Sequence, residues 1–230
     1  MNGKKRGQIG SRFFVYLLGL LVMSLGIVLL IVADLGASPW DVLHVGLYYQ
    51  LGLTIGSWSI IVGVVILAVA AIISKEFPKM GAFLNMVLVG VFIDLYLLLP
   101  FMQTPISLSG KIIMFVFGMF IYCYGMGIYI SAQLGAGPRD SLMIALTSKT
   151  GWKIGHVRAC MEIIVLLIGW QLGGPIFWGT IAIGLTIGPI AGFALPQCQF
   201  LTNKFLEKRM KQTLAKVVTT SREKDRGASI

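Results

Sequence analysis

Two aspartates, Asp41 and Asp140, each follow a proline by two residues, in polar segments that interrupt an otherwise apolar chain. Proline suits the first position of a helix, and Ser38, just before Pro39, is a favourable N-cap. A carboxylate in the first helical turn is stabilised by the helix dipole and can accept a free backbone N–H. The same carboxylates could bind a cation or a proton, whereas the helix N-termini would attract an anion. The residue types leave helix capping and ligand binding open.

Further polar residues lie within or beside the apolar runs and extend the candidate binding site. Asp94 stands well inside an apolar run, where a carboxylate indicates either a functional site or a hydrogen-bonded helix-packing group. His44 comes one turn after Asp41, so the pair could relay protons, although a packing role explains a lone histidine more simply. The candidate substrate-binding residues are therefore Asp41, Asp140, Asp94, Ser38, Asn85, Gln133 and His44.

Other residues are assigned to positioning rather than to binding. Arg158 and Glu162 are four residues apart, so they share a helix face and are expected to form an ion pair. Trp40 and Arg139 occupy equivalent places in the two polar segments. The sequence leaves two roles open for these positions: a gate, or, for the tryptophan, an aromatic anchor at the membrane interface. The residues expected to act as hinges or helix caps are Gly36, Pro39, Gly135, Gly137 and Pro138.

The two polar segments are copies of one another. The stretches ADLGASPWDVLHVGL, from Ala33, and AQLGAGPRDSLMIAL, from Ala132, share eight identical residues at a constant offset of 99. The similarity continues in both directions, mainly through glycines, and with one residue dropped it reaches Gly179 and Gly188. A repeat of this length predicts that the chain is built from two structurally equivalent halves.

The composition identifies the class of protein. Hydrophobic residues make up 57% of the 230 residues and charged residues only 12%, which lies outside the range of soluble globular domains. Each half contains three apolar runs long enough to cross a bilayer and one Pro-led segment of about 12 to 14 residues, which is too short. The long runs are 13–32, 57–74 and 81–100 in the first half, and 111–131, 156–172 and 175–195 in the second.

The short segments, 38–51 and 138–149, decide the topology. If they cross the membrane there are eight spans and the halves run parallel; if they enter and leave on one side there are six spans and the halves are inverted. With a cytoplasmic N-terminus, six spans place only Lys111 outside, as the positive-inside rule favours. The basic loop residues then placed inside are Lys75, Lys79, Arg139, Lys149, Lys153 and Arg158. We predict an all-α integral membrane protein of two inverted repeats, each with three full transmembrane helices and one short Pro-led re-entrant or broken helix.

This topology divides the chain into five segments. Residues 1–12 form a basic cytoplasmic N-terminus, 13–100 the first membrane repeat and 111–195 the second. Apolar residues at helical spacing, with basic residues between them, predict an amphipathic helix over 200–218 that lies on anionic lipid at the cytoplasmic face. A helix that binds a protein partner is the alternative for this segment. The last residues, 219–230, are expected to form a disordered basic tail.

Several functional classes are disfavoured. The net charge of +10 is concentrated at the termini without an aromatic–basic surface or a DNA-binding motif, so we expect no nucleic acid partner. No H-E-x-x-H, G-x-S-x-G or Walker A motif is present, and we expect neither an enzyme nor a bound cofactor. The isolated cysteines Cys123, Cys160 and Cys198 lie in or beside apolar runs, which argues against disulfides and against metal ligation.

The paired sequences LGASPWDVLHVGL and LGAGPRDSLMIAL, followed by LGLTIGSW and TGWKIGHVR, resemble the YczE-like bacterial membrane proteins. These proteins are grouped with the broader YitT/YyaS set of uncharacterised polytopic proteins, and the resemblance covers the chain up to roughly residue 200. It implies a multi-pass protein of the bacterial inner or plasma membrane. It supplies no substrate and no catalytic residues.

Interrupted helices at matching positions of two inverted halves are typical of the central site of a secondary transporter. We therefore predict a transporter of a small molecule or ion that works by alternating access, with both termini in the cytoplasm. The alternative is a non-transporting accessory or scaffold protein for a cytoplasmic partner recruited to the basic tail. The substrate, and whether the chain forms a homo-oligomer, remain open at this stage.

Overall fold

The computed structural model describes residues 9–78, 80–135 and 137–227, and within these ranges all regular structure is α-helical. The basic residues of the 1–8 segment, Lys79 and the tail residues 228–230 lie outside the described residues. The helices are α1 (Ile9–Val32), α2 (Pro39–Leu51), α3 (Ile55–Ser74), α4 (Met80–Leu97), α5 (Leu108–Ser131), α6 (Pro138–Thr150), α7 (Ile154–Gln171) and α8 (Trp178–Gly227). Six of these, all except α2 and α6, are long and apolar enough to cross a membrane, as the sequence predicts.

Helices α1 and α5 make the most extensive contact in the described bundle and run antiparallel. Glycines on each helix lie against the backbone or side chain of the other, so the two axes approach closely. The contacts join Gly19 to Tyr129, Gly26 to Tyr122, Gly125 to Met23 and Gly118 to Leu30. Residue numbers rise along one helix as they fall along the other, and the four glycines occupy equivalent positions of the two halves.

The short helices pack across the boundary between the halves. Helix α2 of the first half packs against α7 of the second, and α6 of the second half packs against α3 of the first. In the same way, α1 packs against α4 and α5 packs against α8. The contacts of the first half are thus largely repeated by the equivalent helices of the second.

One end of the bundle, which we call the terminal end, holds the start of α1. There Arg12 donates a hydrogen bond to the Ala132 carbonyl oxygen at 3.2 Å. Close by, the Tyr16 hydroxyl donates to the Gly81 carbonyl oxygen at 2.7 Å. The start of α1, the start of α4 and the end of α5 therefore lie together.

The opposite end, which we call the distal end, holds the end of α1. There Lys111 and Asp34 form an ion pair with Nζ and Oδ2 2.7 Å apart. The Gly179 N–H donates to the Leu35 carbonyl oxygen at 2.8 Å, which places the start of α8 at this end as well. The connections α1–α2 and α7–α8 are therefore on one side, and the connections α3–α4 and α5–α6 are on the other.

The halves differ in one pair of helices. In the first half, α3 and α4 are clasped near the distal end, where Gly56 lies against the Gly90 carbonyl and Asp94 accepts hydrogen bonds from the Thr54 hydroxyl and the Gly56 N–H. The equivalent positions of α7 and α8 are Lys153, Gly155, Gly188 and Gly192. A side chain added at any of these three glycines would meet no atom within 4 Å. Helices α7 and α8 are therefore apart where α3 and α4 touch.

Two of the basic residues that the topology prediction uses lie in helices, as their predicted segments imply. Arg139 is in the first turn of α6, which begins at Pro138. Arg158 is in the second turn of α7, which begins at Ile154. Both side chains line a cavity inside the bundle.

The C-terminal region differs from the predicted division into segments. The backbone stays helical from Trp178 through Gly227, in place of a span that ends at 195, a separate helix over 200–218 and a disordered tail from 219. No glycine or proline occurs from 197 to 226, so no residue of this stretch is a strong helix breaker.

Candidate functional site

The first turn of α2 holds a buried carboxylate. Ser38 is the N-cap, Pro39 occupies the first helical position, and the Ser38 hydroxyl accepts a hydrogen bond from the Asp41 N–H at 3.4 Å. The same hydroxyl donates to Oδ2 of Asp41, whose side chain is buried, with only 2% of the residue exposed. Capping therefore accounts for one oxygen of this carboxylate.

The other oxygen of Asp41 faces the second half. Oδ1 has no hydrogen-bond partner, and it lies 3.9 Å from a terminal guanidinium nitrogen of Arg139 and 3.9 Å from Nδ1 of His44. Both distances are too long for a hydrogen bond. The first turns of α2 and α6 are consequently neighbours, and Asp41 and Arg139 attract one another across the boundary between the halves.

Trp40 and Arg139, which are equivalent in the repeat, contact each other. The guanidinium carbon of Arg139 lies 4.9 Å from the centroid of the Trp40 ring, within the range of a cation–π interaction. Each of two cavities is lined by both of these residues and by Tyr122. The Trp40–Arg139 contact thus stands where the two cavities meet.

The first cavity, which we call the first chamber, has a volume of about 100 Å³. It lies between α1, α2, α3, α4, α5 and the first turn of α6. Its polar lining residues are His44, Ser59, Asn85, Tyr122, Tyr129, Arg139 and Asp140, with Trp40 beside them. The rest of its wall is mainly aliphatic and thioether side chains.

The second cavity, which we call the second chamber, has a volume of about 310 Å³. It lies between α2, α5, α6 and the separated helices α7 and α8. Its polar lining residues are Ser38, Tyr122, Arg139, Arg158 and Glu162, with Trp40 beside them.

The two chambers are built from equivalent positions. The pairs are Ser59 and Arg158, Val62 and Met161, Gly63 and Glu162, Asn85 and Ile183, Met86 and Gly184, and Val89 and Ile187. The walls therefore correspond position by position, whereas the side chains differ. Equivalent positions of the two halves thus present two different chemical surfaces.

Three of the predicted site residues meet in the first chamber. Asp140 is half-buried there and accepts a hydrogen bond from the Tyr129 hydroxyl at 3.4 Å. Asn85 is 7% exposed and its Nδ2 has no hydrogen-bond partner, and Nδ1 of the buried His44 also has none. Buried polar atoms without partners are uncommon, and both residues belong to the wall of the first chamber.

The hinge and cap residues occupy the bends before the short helices. Gly36 and Gly135 have φ angles of 109° and 153°, and Gly36 adopts a conformation that strongly favours glycine. Pro138 takes the first position of α6, as Pro39 does in α2, and Gly137 is an N-cap that supplies no side chain. Asp140 therefore lacks the serine that caps α2.

Asp94 and Gln133 lie outside both chamber linings. Asp94 accepts hydrogen bonds from the Thr54 hydroxyl at 2.6 Å and from the Gly56 N–H at 2.8 Å, so it joins α4 to the start of α3. Gln133 is exposed in the bend after α5, with a φ angle of 57°. The geometry gives Asp94 a role in helix packing and assigns no ligand contact to Gln133.

Arg158 and Glu162 form the ion pair expected from their spacing, with Nε and Oε1 2.9 Å apart. The pair lies in the wall of the second chamber, which the spacing alone does not indicate. Tyr122 and Tyr129 also line the cavities although no motif singles them out. They lie against Gly26 and Gly19 of α1, a packing relation that depends on the fold and that the sequence alone does not show.

Among the described residues, no group of three or more His, Cys, Asp or Glu side chains could hold a metal ion. The free cysteines Cys123 and Cys198 are buried and Cys160 is exposed.

Known proteins place the chain in a family. Residues 10–196 match the family of unknown function DUF6198. The uncharacterized membrane protein YczE of Bacillus subtilis is 45% identical over 204 residues, which cover 88% of this chain and 94% of that protein. The uncharacterized protein YyaS of the same organism is 32% identical over 74% of this chain and 85% of its own length. An uncharacterized protein of Haemophilus influenzae is 29% identical over 79% of this chain and 82% of its own length.

The chain therefore belongs to this family of unknown function, and the resemblance to YczE-like proteins is confirmed. No solved structure matches it. The relative YczE is named a membrane protein, and six helices of this chain could cross a membrane, so the chain is a multi-pass membrane protein.

Proposed function

We propose that this membrane protein is a secondary transporter of a small molecule or ion, and that it works by alternating access. The observation that carries the proposal is the pair of position-equivalent chambers that meet at the Trp40–Arg139 contact. Irregular backbone and charged groups inside a membrane are tolerated where they line a cavity. Both short helices begin at these chambers, so their polar first turns lie along the proposed pathway.

The proposal includes two inverted repeats. Two packing features support them: the first helices of the two halves, α1 and α5, are antiparallel, and each short helix packs on a long helix of the other half. Three spans in each half would reverse the second half relative to the first. Both termini then lie on the same side of the membrane.

Alternating access requires two arrangements of the same elements. The clasped pair α3/α4 and the separated pair α7/α8 supply two arrangements of equivalent helices. We infer that this structure represents the state closed at the distal end and open at the terminal end. Exchange of the two arrangements would produce the opposite state.

The distribution of positive charge supports an orientation. Lys75 and Lys153 lie in the connections of the terminal end and Lys149 lies in the last turn of α6 beside them, whereas Lys111 lies at the distal end. Because positive connections favour the cytoplasm, we assign the terminal end, and with it both termini, to the cytoplasmic face of a bacterial membrane. The gap between α7 and α8 then opens to the cytoplasm.

Uptake into proteoliposomes tests the function. Purified protein is reconstituted, and the entry of small organic anions, cations and zwitterions is followed for the wild type and for the double variant Asp41→Asn/Asp140→Asn. Because Asp140 lines the first chamber and Asp41 lies 3.9 Å from Arg139, which lines both chambers, we expect flux of one class and at least tenfold slower flux for the variant. This corresponds to a barrier raised by about 1.4 kcal/mol. The matched control is Asp34→Asn, which removes a carboxylate at the distal surface.

Two outcomes would contradict this account. Flux in the double variant equal to that of the wild type would mean that the two aspartates act only in helix capping. Absence of flux in every class, together with loss of cellular function when the chain is truncated after Met210, would indicate the accessory role. That role has one structural feature in its favour, because α8 continues well beyond the length needed to cross a membrane.

A further inference from the structure

The second chamber contains a guanidinium that is not hydrogen-bonded to a carboxylate. The nearest carboxylate oxygen to Arg139 is Oδ1 of Asp41, at 3.9 Å, and its other oxygen already accepts from Ser38. One face of the guanidinium lies over Trp40, and the side chain remains 32% exposed. Stacking on a ring covers the face of the group and leaves the N–H donors at its edge for another partner.

A second guanidinium lines the same chamber. Glu162 contacts Arg158 through Nε alone, at 2.9 Å, and 56% of the arginine side chain is exposed. No hydrogen bond to the terminal nitrogens of Arg158 is made among the described residues. The planar fork of an arginine matches the oxygens of a carboxylate or a phosphate, and two such forks face one cavity.

The remaining wall of the second chamber suits an apolar body. Trp40, Tyr122, Met143, Met161, Ile183 and Ile187 supply aromatic, thioether and aliphatic surface. The volume of about 310 Å³ lies at the lower end of the range typical of small-molecule sites.

We propose that the second chamber binds a small organic anion, whose oxyanion head lies between Arg139 and Arg158 and whose apolar part lies on Trp40 and the methionines. This inference rests on the proposed function, because it names the class of substrate that would pass through the chambers. Arg139 lines both chambers, so it stays beside the head group as the anion moves from one to the other.

The test measures binding rather than flux. The full-length protein in lipid nanodiscs is titrated calorimetrically with butanoate, monobutyl phosphate and butylammonium, which share one apolar body and differ in the head group. We expect binding of at least one oxyanion and none of butylammonium. The carboxylate and phosphate probes separate the two kinds of head that an arginine fork accepts.

Three variants identify the groups responsible. Arg158→Gln should weaken oxyanion binding roughly tenfold to a hundredfold, as expected for one charge-assisted hydrogen-bonding group. Glu162→Gln should tighten it, because the charge of Arg158 is no longer neutralised. Lys153→Gln is the matched control: it removes an equal charge from an exposed residue at the start of the same helix, outside the chamber, and should leave binding unchanged.

Arg139→Lys keeps the positive charge beside Asp41, so folding is preserved while the planar fork is lost. We expect weaker oxyanion binding in this variant, with a size-exclusion profile equal to that of the wild type.

Several results would overturn the inference: no oxyanion binding by the wild type, preferential binding of butylammonium, weaker binding in Glu162→Gln, or equal effects of Arg158→Gln and Lys153→Gln. Its failure is distinguishable from failure of the transport proposal. Oxyanion binding without flux would support the anion site and contradict the transport proposal. Flux of a cation that is unaffected by Arg158→Gln would support the transport proposal and contradict the anion site.

Discussion

Asp41 takes part in the cap of α2 and keeps one carboxylate oxygen without a hydrogen-bond partner. Oδ2 takes part in the cap with Ser38, and Oδ1 lies 3.9 Å from Arg139 without a hydrogen bond. The cap lowers the cost of keeping this carboxylate in the membrane, since part of its charge is balanced by the hydroxyl and by the helix N-terminus. Capping and function are therefore compatible at this residue.

Removal of the Ser38 hydroxyl should show how strongly the cap holds this carboxylate. Ser38→Ala is expected to lower the free energy of unfolding by about 1–3 kcal/mol, because it removes an N-cap and leaves a buried oxygen without a donor. Ser107→Ala is the matched control, since Ser107 caps α5 by accepting from the Gly110 N–H at 3.1 Å on the exposed surface. We expect about 0.5–1 kcal/mol there.

Both free energies can be measured by titrating the unfolding of the reconstituted protein with a denaturing detergent. Equal losses in the two variants would mean that the buried carboxylate adds nothing to the cap, and would contradict the account of Asp41.

At the residue scale, local spacing predicts what lies within one or two helical turns. It gives the cap at Ser38, the prolines at the first helical positions and the Arg158–Glu162 pair. It does not give the Trp40–Arg139 contact, which joins residues 99 positions apart and depends on how the halves pack. The role of Asp94 also depends on packing, because its partners Thr54 and Gly56 lie on another helix.

At the scale of the elements, α1 and α5 depend on small residues at their crossing. A Cβ at Gly26 would overlap the backbone of Tyr122, and a Cβ at Gly125 would overlap that of Met23. The approach is close because the hydrocarbon environment provides no hydrophobic drive between helices, so van der Waals packing must hold them together.

Gly26→Ala should therefore lower the free energy of unfolding by about 1–3 kcal/mol, the usual result of overpacking. Gly184→Ala is the control at a transmembrane glycine whose added methyl group would meet no atom within 4 Å, and its helix propensity should make it neutral or slightly stabilising. The same titration with a denaturing detergent measures the free energy of unfolding of both variants. A loss at Gly184 as large as that at Gly26 would contradict the described packing.

Helix boundaries are well predicted by the apolar runs, and every start agrees with the described helix to within four residues. The exception is the end of α8, where charge composition indicates disorder but the chain has no residue that stops a helix. Composition reports burial, whereas a helix end depends on particular breaking residues.

At the scale of the whole molecule, a repeat in sequence predicts equivalent positions but does not predict equal arrangements. The offset of 99 residues leads to the correspondence of the chamber walls, including pairs such as Val62 and Met161. The glycines of α7 and α8 match those that clasp α3 to α4 and do not predict the separation, whereas Lys153 and Gly192 stand in place of the hydrogen-bonded Thr54 and Asp94. A difference between halves that share the same small residues is consistent with a chain that has two states of similar energy.

The central claim, that the two helix pairs exchange arrangements, can be tested directly by distances between spin labels. One pair of labels is placed at Leu53, just before α3, and at Leu95 on α4. The equivalent pair is placed at Trp152, just before α7, and at Phe193 on α8, and all four residues are exposed. The background lacks the exposed Cys160. Double electron–electron resonance is recorded in nanodiscs with and without butanoate or monobutyl phosphate.

The account predicts two distances for each pair of labels, with populations that change in opposite directions: as Trp152 and Phe193 approach, Leu53 and Leu95 separate. A single, unchanging distance in both pairs would contradict it, as would a gap between α7 and α8 that stays open because a second copy of the chain fills it.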